Sequence, residues 1–323
     1  LSGWVVSRGY TGVQVPSWDT RLIDLESAAD SQAYCDDLLG GLSDRGVELI
    51  ELGSYLQGQC VAVHPAYAAG FADFHPSGLA GEELTAWATD QMQKSVRAAV
   101  KLGTRTITAF SGALAWHLIY PWPPRPAGLV DDAFDELVRR WRPILDYAGD
   151  HGVTINFELH PGSDLFDGAT FELFLEKLDG HPVPGITYDP SHFVLQQLDY
   201  ADFIMRYHDR IRTFHVKDAE FRPSGRVGVY GGYQEWVNRA GRFRSPGDGQ
   251  VDFKRVFSLL TQYGYDGWAI LEWECCIKSA EQGAREGAPF IRKHIIEPTE
   301  LSFESYAGGT HETELNRQLL GLE

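Results

Sequence analysis

The chain has 323 residues, 43% of them hydrophobic and 12% aromatic, ample for a large buried core and for one barrel domain of roughly 250 residues with insertions. Its formal net charge of −17 opposes phosphodiester backbones, which excludes nucleic acid as the expected partner. No run of about 18 apolar residues is present, so no membrane-spanning helix is expected, and no charged-then-apolar leader opens the chain.

Apolar runs alternate with amphipathic stretches from end to end. A first strand is expected within the first 15 residues, followed by a helix over Ser31–Arg45 and a strand over Val47–Leu52. A third strand is expected over Gln59–His64, reached by a link too short for a full helix. Then come helix Glu82–Leu102, strand Thr106–Phe110, helix Asp131–His151, strand Val153–Glu158 and helix Thr170–Leu178. Strand Gly185–Asp189, helix Tyr200–Arg210, strand Ile211–His215, helix Asp252–Tyr263, strand Trp268–Glu272 and helix Glu281–Ile296 complete the series. Strands alternating with helices of this length predict right-handed βαβ units and a parallel sheet. About eight strands predict an α/β fold closed as a (β/α)8 TIM barrel, a single domain over 1–296 with a tail over 297–323. The rival, an open doubly wound sheet, lacks the GxGxxG that would follow its first strand. No Walker loop or serine-centred nucleophile elbow is present either.

Two strand-to-helix links are long. Ser111–Val130 is proline-rich and holds Trp116, His117, Tyr120 and Trp122; Lys217–Val251 is the other. Both follow strands and so belong on the C-terminal face, where barrel active sites lie. Between Phe221 and Ser245 the second carries Arg222, Arg226, Arg239, Arg242 and Arg244 against one acid, Glu235, with Tyr230, Tyr233 and Trp236. In so acidic a chain this predicts either a lid over a polar substrate or a subunit interface, consistent with a homo-oligomer or an assembly with a second subunit. The cysteines, Cys35, Cys60, Cys275 and Cys276, form no CxxC, and the expectation is four reduced thiols in a cytoplasmic protein.

Four strands end in a metal-ligating residue: Glu158, Asp189, His215 and Glu272. Strand side chains alternate faces, so Asn156 points with Glu158, Thr187 with Asp189, Thr213 with His215 and Ile270 with Glu272. Phe157, Tyr188, Phe214 and Leu271 then face the helices. Three carboxylates in one pocket repel one another, and a divalent cation removes that penalty. A Glu/Asp/His/Glu set without thiolate suits Mn²⁺ first, with Mg²⁺, Co²⁺ or Zn²⁺ as alternatives. Glu274, on the same face as Glu272, competes for the last position.

The segments Phe-Glu158-Leu-His160, Tyr-Asp189-Pro-Ser-His192, Phe-His215-Val-Lys217-Asp218 and Tyr-Asp-Gly-Trp-Ala-Ile-Leu-Glu272 resemble the xylose isomerase-like superfamily, over roughly residues 30 to 296. Its members include sugar phosphate isomerases and epimerases, ketose 3-epimerases and inosose dehydratases. The resemblance implies a TIM barrel, the same four metal ligands, and His192 beside the metal as a substrate contact. It further implies that Glu158 and Glu272 work as acid and base on opposite faces of a keto sugar, with His192 or Lys217 holding substrate oxygens. The expected chemistry is proton abstraction next to a chelated carbonyl. Reprotonation, giving isomerisation or epimerisation, is the outcome the resemblance implies first; the alternative, loss of a β-substituent, would make the enzyme a lyase on 3-keto-glycosides. His117 is a further candidate base, and Trp116, His64 and His160 are candidate substrate contacts. The aromatic loops favour a glycoside over a simple ketose. An AP endonuclease reading is opposed by the charge and by the missing Asp-x-His after His215.

Overall fold

The computed structural model describes residues 2–299 and 313–322. Its barrel is built from β1 (Gly12–Pro16), β2 (Glu48–Gly53), β3 (Thr106–Ala109), β4 (Thr154–Glu158), β5 (Pro184–Tyr188) and β6 (Ile211–Val216). An antiparallel hairpin follows, β7 (Asp218–Phe221) with β8 (Gly241–Arg244), and then the last barrel strand, β9 (Ala269–Leu271). Each barrel strand pairs in parallel with the next, in the order β1-β2-β3-β4-β5-β6-β9. The expected TIM barrel is therefore present as seven parallel strands, nearly closed. Between β1 and β9 lies a cavity of about 500 Å³, lined by Gly12, Val13 and Gln14 on one side and Ala269, Ile270 and Leu271 on the other.

The helices are α1 (Ser2–Ser7), α2 (Leu25–Asp30), α3 (Gln32–Ser43), α4 (Tyr55–Gln59), α5 (Gly81–Lys101), α6 (Leu129–Asp150), α7 (Gly168–Lys177), α8 (Pro190–Gln196), α9 (Tyr200–Tyr207), α10 (Phe253–Gln262) and α11 (Ala280–His294). All seven expected helices are present within a few residues. Their starts are capped by short polar side chains: Ser31 accepts from the Tyr34 N–H, Asp252 from Arg255 and Ser279 from Gln282, and Asp167 closes a capping box with Thr170. Along α6 the buried residues Phe134, Leu137, Val138, Trp141, Ile144, Leu145 and Ala148 recur at helical spacing and form the face laid on the barrel. Trp141 is wholly buried, meets Phe157 edge-on at 4.7 Å, and donates from Nε1 to the Ser111 carbonyl at 2.8 Å.

One expected strand does not form. Gln59–His64 contributes an isolated bridge, Val63 to Ala113, and its first residue ends the short helix α4. The reason is steric. β2 and β3 pair directly, Leu52 beside Ile107, which leaves no lane between them. Gly58 is pressed so close to the end of β3 that a Cβ would stand 2.5 Å from the Phe110 carbonyl oxygen. A 3-10 helix over Pro65–Phe74, capped by His64, carries the chain on to α5. The long segment after His215 also differs from a plain loop, because β7 and β8 lie within it. The expected tail over 297–323 lies mostly outside the described residues, which include a helix at Thr313–Leu319. No described helix is long and apolar enough to cross a membrane. All four cysteines are free thiols.

Candidate metal centre and active site

The strand periodicity that predicted a convergent polar cluster is realised. Glu158 ends β4, Asp189 follows β5, His215 lies in β6 and Glu272 follows β9, and one donor atom from each lies within 4.8 Å of the others. Glu158, Asp189 and His215 are buried, and the Glu272 side chain is 32% exposed at the mouth. Glu274, the competing carboxylate, stands outside this group and places Oε1 3.4 Å from the Lys217 ammonium.

The donor set fits a cation. His215 Nδ1 and Glu272 Oε2 approach to 2.7 Å, yet neither atom makes a hydrogen bond, and Asp189 Oδ2 likewise accepts none. Neighbouring ligands around an octahedral ion with bonds of about 2.1 Å lie ~3 Å apart, close to the separation of His215 Nδ1 and Glu272 Oε2. Lys217 is buried, with Nζ 3.6 Å from Asp189 Oδ2 and 3.5 Å from Glu272 Oε2. Three carboxylates this close together repel one another, and a divalent ion among them would relieve that repulsion.

The metal-free pocket polarises its members unequally. Burial and the Glu272 charge push the Glu158 carboxyl up. Burial would raise Glu272 too, but Lys217 and His215 overcome it and lower its carboxyl to about 2. Burial opposes the charged form of His192, yet Asp189 outweighs it and lifts the imidazole to about 9. His192 Nε2 lies 3.0 Å from Glu158 Oε1 and 3.2 Å from Asp189 Oδ2. In the metal-free pocket the two candidate catalytic glutamates are thus shifted in opposite directions.

Beneath the donors lies a buried polar layer that the sequence reading did not single out. Asn156 Nδ2 donates to Thr213 Oγ1 at 2.9 Å, and the Thr213 hydroxyl donates to Glu51 Oε2 at 2.8 Å. Gln14 Nε2 donates to Glu51 Oε1 at 3.0 Å and stands 3.3 Å from His215 Nε2, which the Tyr55 hydroxyl approaches at 3.4 Å. Contacts on the far nitrogen fix a ligating histidine's orientation and tautomer. The available signal was Glu51 itself, an acid in the same phase of the strand as Leu49.

The remaining expected site residues divide into two groups. His160 joins the centre: its ring lies 4.2 Å from His192 and 4.7 Å from Phe110. His64 and His117 pair with each other instead, ring centroids 4.0 Å apart, with Tyr67 alongside. The His64 Nδ1 accepts the Ala66 N–H, and His117 is exposed. Trp116 packs edge-on against Phe166 at 5.2 Å. Phe243, in β8, was not anticipated: it roofs the Lys217 ammonium at 4.5 Å and meets His192 edge-on at 5.4 Å.

Comparison with known proteins agrees with this geometry. A family model described as xylose isomerase-like TIM barrel matches residues 3–294. An inosose dehydratase of Geobacillus thermodenitrificans is 29% identical over 145 residues, 45% of this chain and 48% of that protein. The chain therefore matches about half the length of that relative. Among solved structures, a 3-keto-D-glucoside 4-epimerase from E. coli superposes with a TM-score of 0.62 at 14% identity, covering 90% of this chain and 92% of that one. The zinc-bound IOLI protein superposes with a TM-score of 0.60 at 15% identity, covering 91% of each. At these identities the structural likeness speaks for the fold.

Proposed function

Because the chain belongs to the xylose isomerase-like TIM barrel family, we propose that it is a divalent-metal-dependent enzyme that takes a proton from the carbon next to the carbonyl of a keto sugar or keto cyclitol. The observation that carries this reading is the set of four converging donors, three of whose atoms make no hydrogen bond. Glu158, Asp189, His215 and Glu272 would hold one cation, Mn²⁺ in our assignment. When bound, it would polarise the carbonyl and a neighbouring hydroxyl and so acidify the adjacent C–H.

The chain's own residues supply the rest. Glu272, ionised and partly open to the mouth, takes the proton. The electron pair of the broken C–H bond becomes the C=C bond of an enolate. His192 and Lys217 hold the substrate oxygens, and the Glu158–His192 pair returns a proton. If that proton goes to a β-oxygen as its C–O bond breaks, the outcome is elimination; if it returns to carbon from the opposite face, the outcome is epimerisation. We place elimination first, since the matched relatives are dehydratases. Epimerisation is the second reading, favoured by two glutamates, Glu158 and Glu272, in one pocket. His117 is assigned no proton transfer.

Incubation with 2-keto-myo-inositol and with 3-keto-glucosides in D₂O, with added Mn²⁺, tests the proposal. Elimination yields an unsaturated ketone or its tautomer, seen by ultraviolet absorbance. Epimerisation yields recovered sugar carrying deuterium. Neither signal with either substrate class would overturn the reading.

A further inference from the structure

A cavity of about 300 Å³ borders the four-donor pocket, lined by Trp236, Phe243, Trp273, Glu274, Cys275 and Cys276. It shares two walls with that pocket. Phe243 lies over Lys217 and against His192, and Glu274 reaches the same ammonium. Trp236 extends the aromatic surface outward, its ring 4.8 Å from Phe243 and inclined by 30°.

This lining is held in place. Phe243 pairs with Ala219 across the β7/β8 hairpin, and its neighbours Arg242 and Arg244 both donate to Glu220. The Arg239 guanidinium lies over the Trp236 ring at 5.1 Å. Trp273 Nε1 donates to Ser245 Oγ at 3.2 Å, and the absence of a side chain at Gly283 makes room for its indole. The Cys275 sulfur accepts the Lys278 N–H, and the Cys276 thiol turns to the Phe243 carbonyl.

Three aromatic rings and two occupied thiols leave Glu274 as the one charged group on the wall. The hydroxyls around a sugar ring would find few partners there, whereas a flat apolar ring would find stacking and edge contacts. A cavity of about 150 Å³ already accepts benzene. We propose that this cavity is an aryl subsite, taking the aromatic substituent of a substrate whose keto-sugar ring lies over the four donors. The substrate is then an aryl glycoside. The proposal rests on the reaction assigned to those donors, and it gives the eliminated group an identity. The C–H bond next to the carbonyl breaks, a C=C bond forms to the anomeric carbon, the anomeric C–O bond breaks, and a phenol leaves with the returned proton.

Two binding measurements by calorimetry on the full chain test it. The first uses 4-nitrophenol alone. Wild type should bind it, Trp236→Ala should weaken it roughly fivefold or more, and Trp122→Ala, on the other long loop, should leave it unchanged. No binding, or equal binding by Trp236→Ala, overturns the subsite. The second compares phenyl with methyl 3-keto-β-D-glucoside on the Mn²⁺-loaded protein. Wild type should prefer the phenyl compound about tenfold, and Trp236→Ala should lose the preference while holding its affinity for the methyl compound. Equal affinities in wild type overturn it. Should neither keto-glucoside bind and no cation be retained, the reading of the donors fails, while the 4-nitrophenol result still decides the cavity. Trp236 is 48% exposed, so its removal is compatible with folding.

Discussion

The two long links over the C-terminal face are alike in sequence and unlike in structure. The first, after β3, is anchored at its base: Asp164 accepts the N–H groups of Leu114 and Ala115. Further along, Tyr120 and Trp122 are exposed. The second begins with buried Lys217 and Asp218 and folds into a hairpin whose Phe243 roofs the pocket. Asp218 alone accepts four backbone N–H groups: Ala219 and Val251 on Oδ1, Gly247 and Gly249 on Oδ2. Aromatic and proline content marks which face a loop occupies. Buried charges at its base, with their partners, decide whether it is part of the site's architecture.

Substitutions along the two links sharpen that contrast. Lys217→Met should have the largest effect, because it removes the ammonium that faces buried Asp189 and half-buried Glu272. In chelator-treated protein we expect a loss of roughly 3–5 kcal/mol in denaturant unfolding, much of it recovered on adding a divalent ion. Asp218→Asn comes next. The amide turns an NH₂ toward one pair of N–H donors, and a loss of about 2–4 kcal/mol is expected. Asp164→Asn, which disturbs fewer bonds, should cost about 1–2 kcal/mol in the same measurement. Equal losses for the two would break the comparison. Trp122→Ala should be smallest, within about 0.5 kcal/mol, since its ring is 72% exposed.

The barrel and its four donors were legible because both are periodic. Alternation along β4, β5 and β6 fixes which side chains face inward, and the end of each strand fixes the depth. What was not legible depends on distant partners. Glu51 acquires its role from Thr213, 162 residues away. The hairpin strands are four residues each, among glycines and arginines, and Glu220 sits just outside the arginine-rich window that it neutralises. Gln59–His64 has a strand's composition, yet the direct pairing of β2 with β3 denies it a place. His117 and Trp116 were read as candidate site residues from an aromatic, proline-rich loop and His64 from the end of an expected strand; the ring contacts they make are with Tyr67, with Phe166 and with one another.

The central claim is the cation, and its affinity should depend on pH in a defined direction. Burial and Glu272 hold the Glu158 carboxyl above its ordinary range, and Glu272 outweighs burial to lift the His215 imidazole to about 9, so protons compete with the metal at both ligands and metal affinity should fall as pH is lowered. The most direct measurement is elemental analysis of purified wild type beside Glu158→Gln and Glu274→Gln, each after incubation with Mn²⁺ or Zn²⁺ and desalting. The account predicts about one divalent ion per chain in wild type and in Glu274→Gln, and loss of the ion in Glu158→Gln. Metal-free wild type, or undiminished metal in Glu158→Gln, would contradict it.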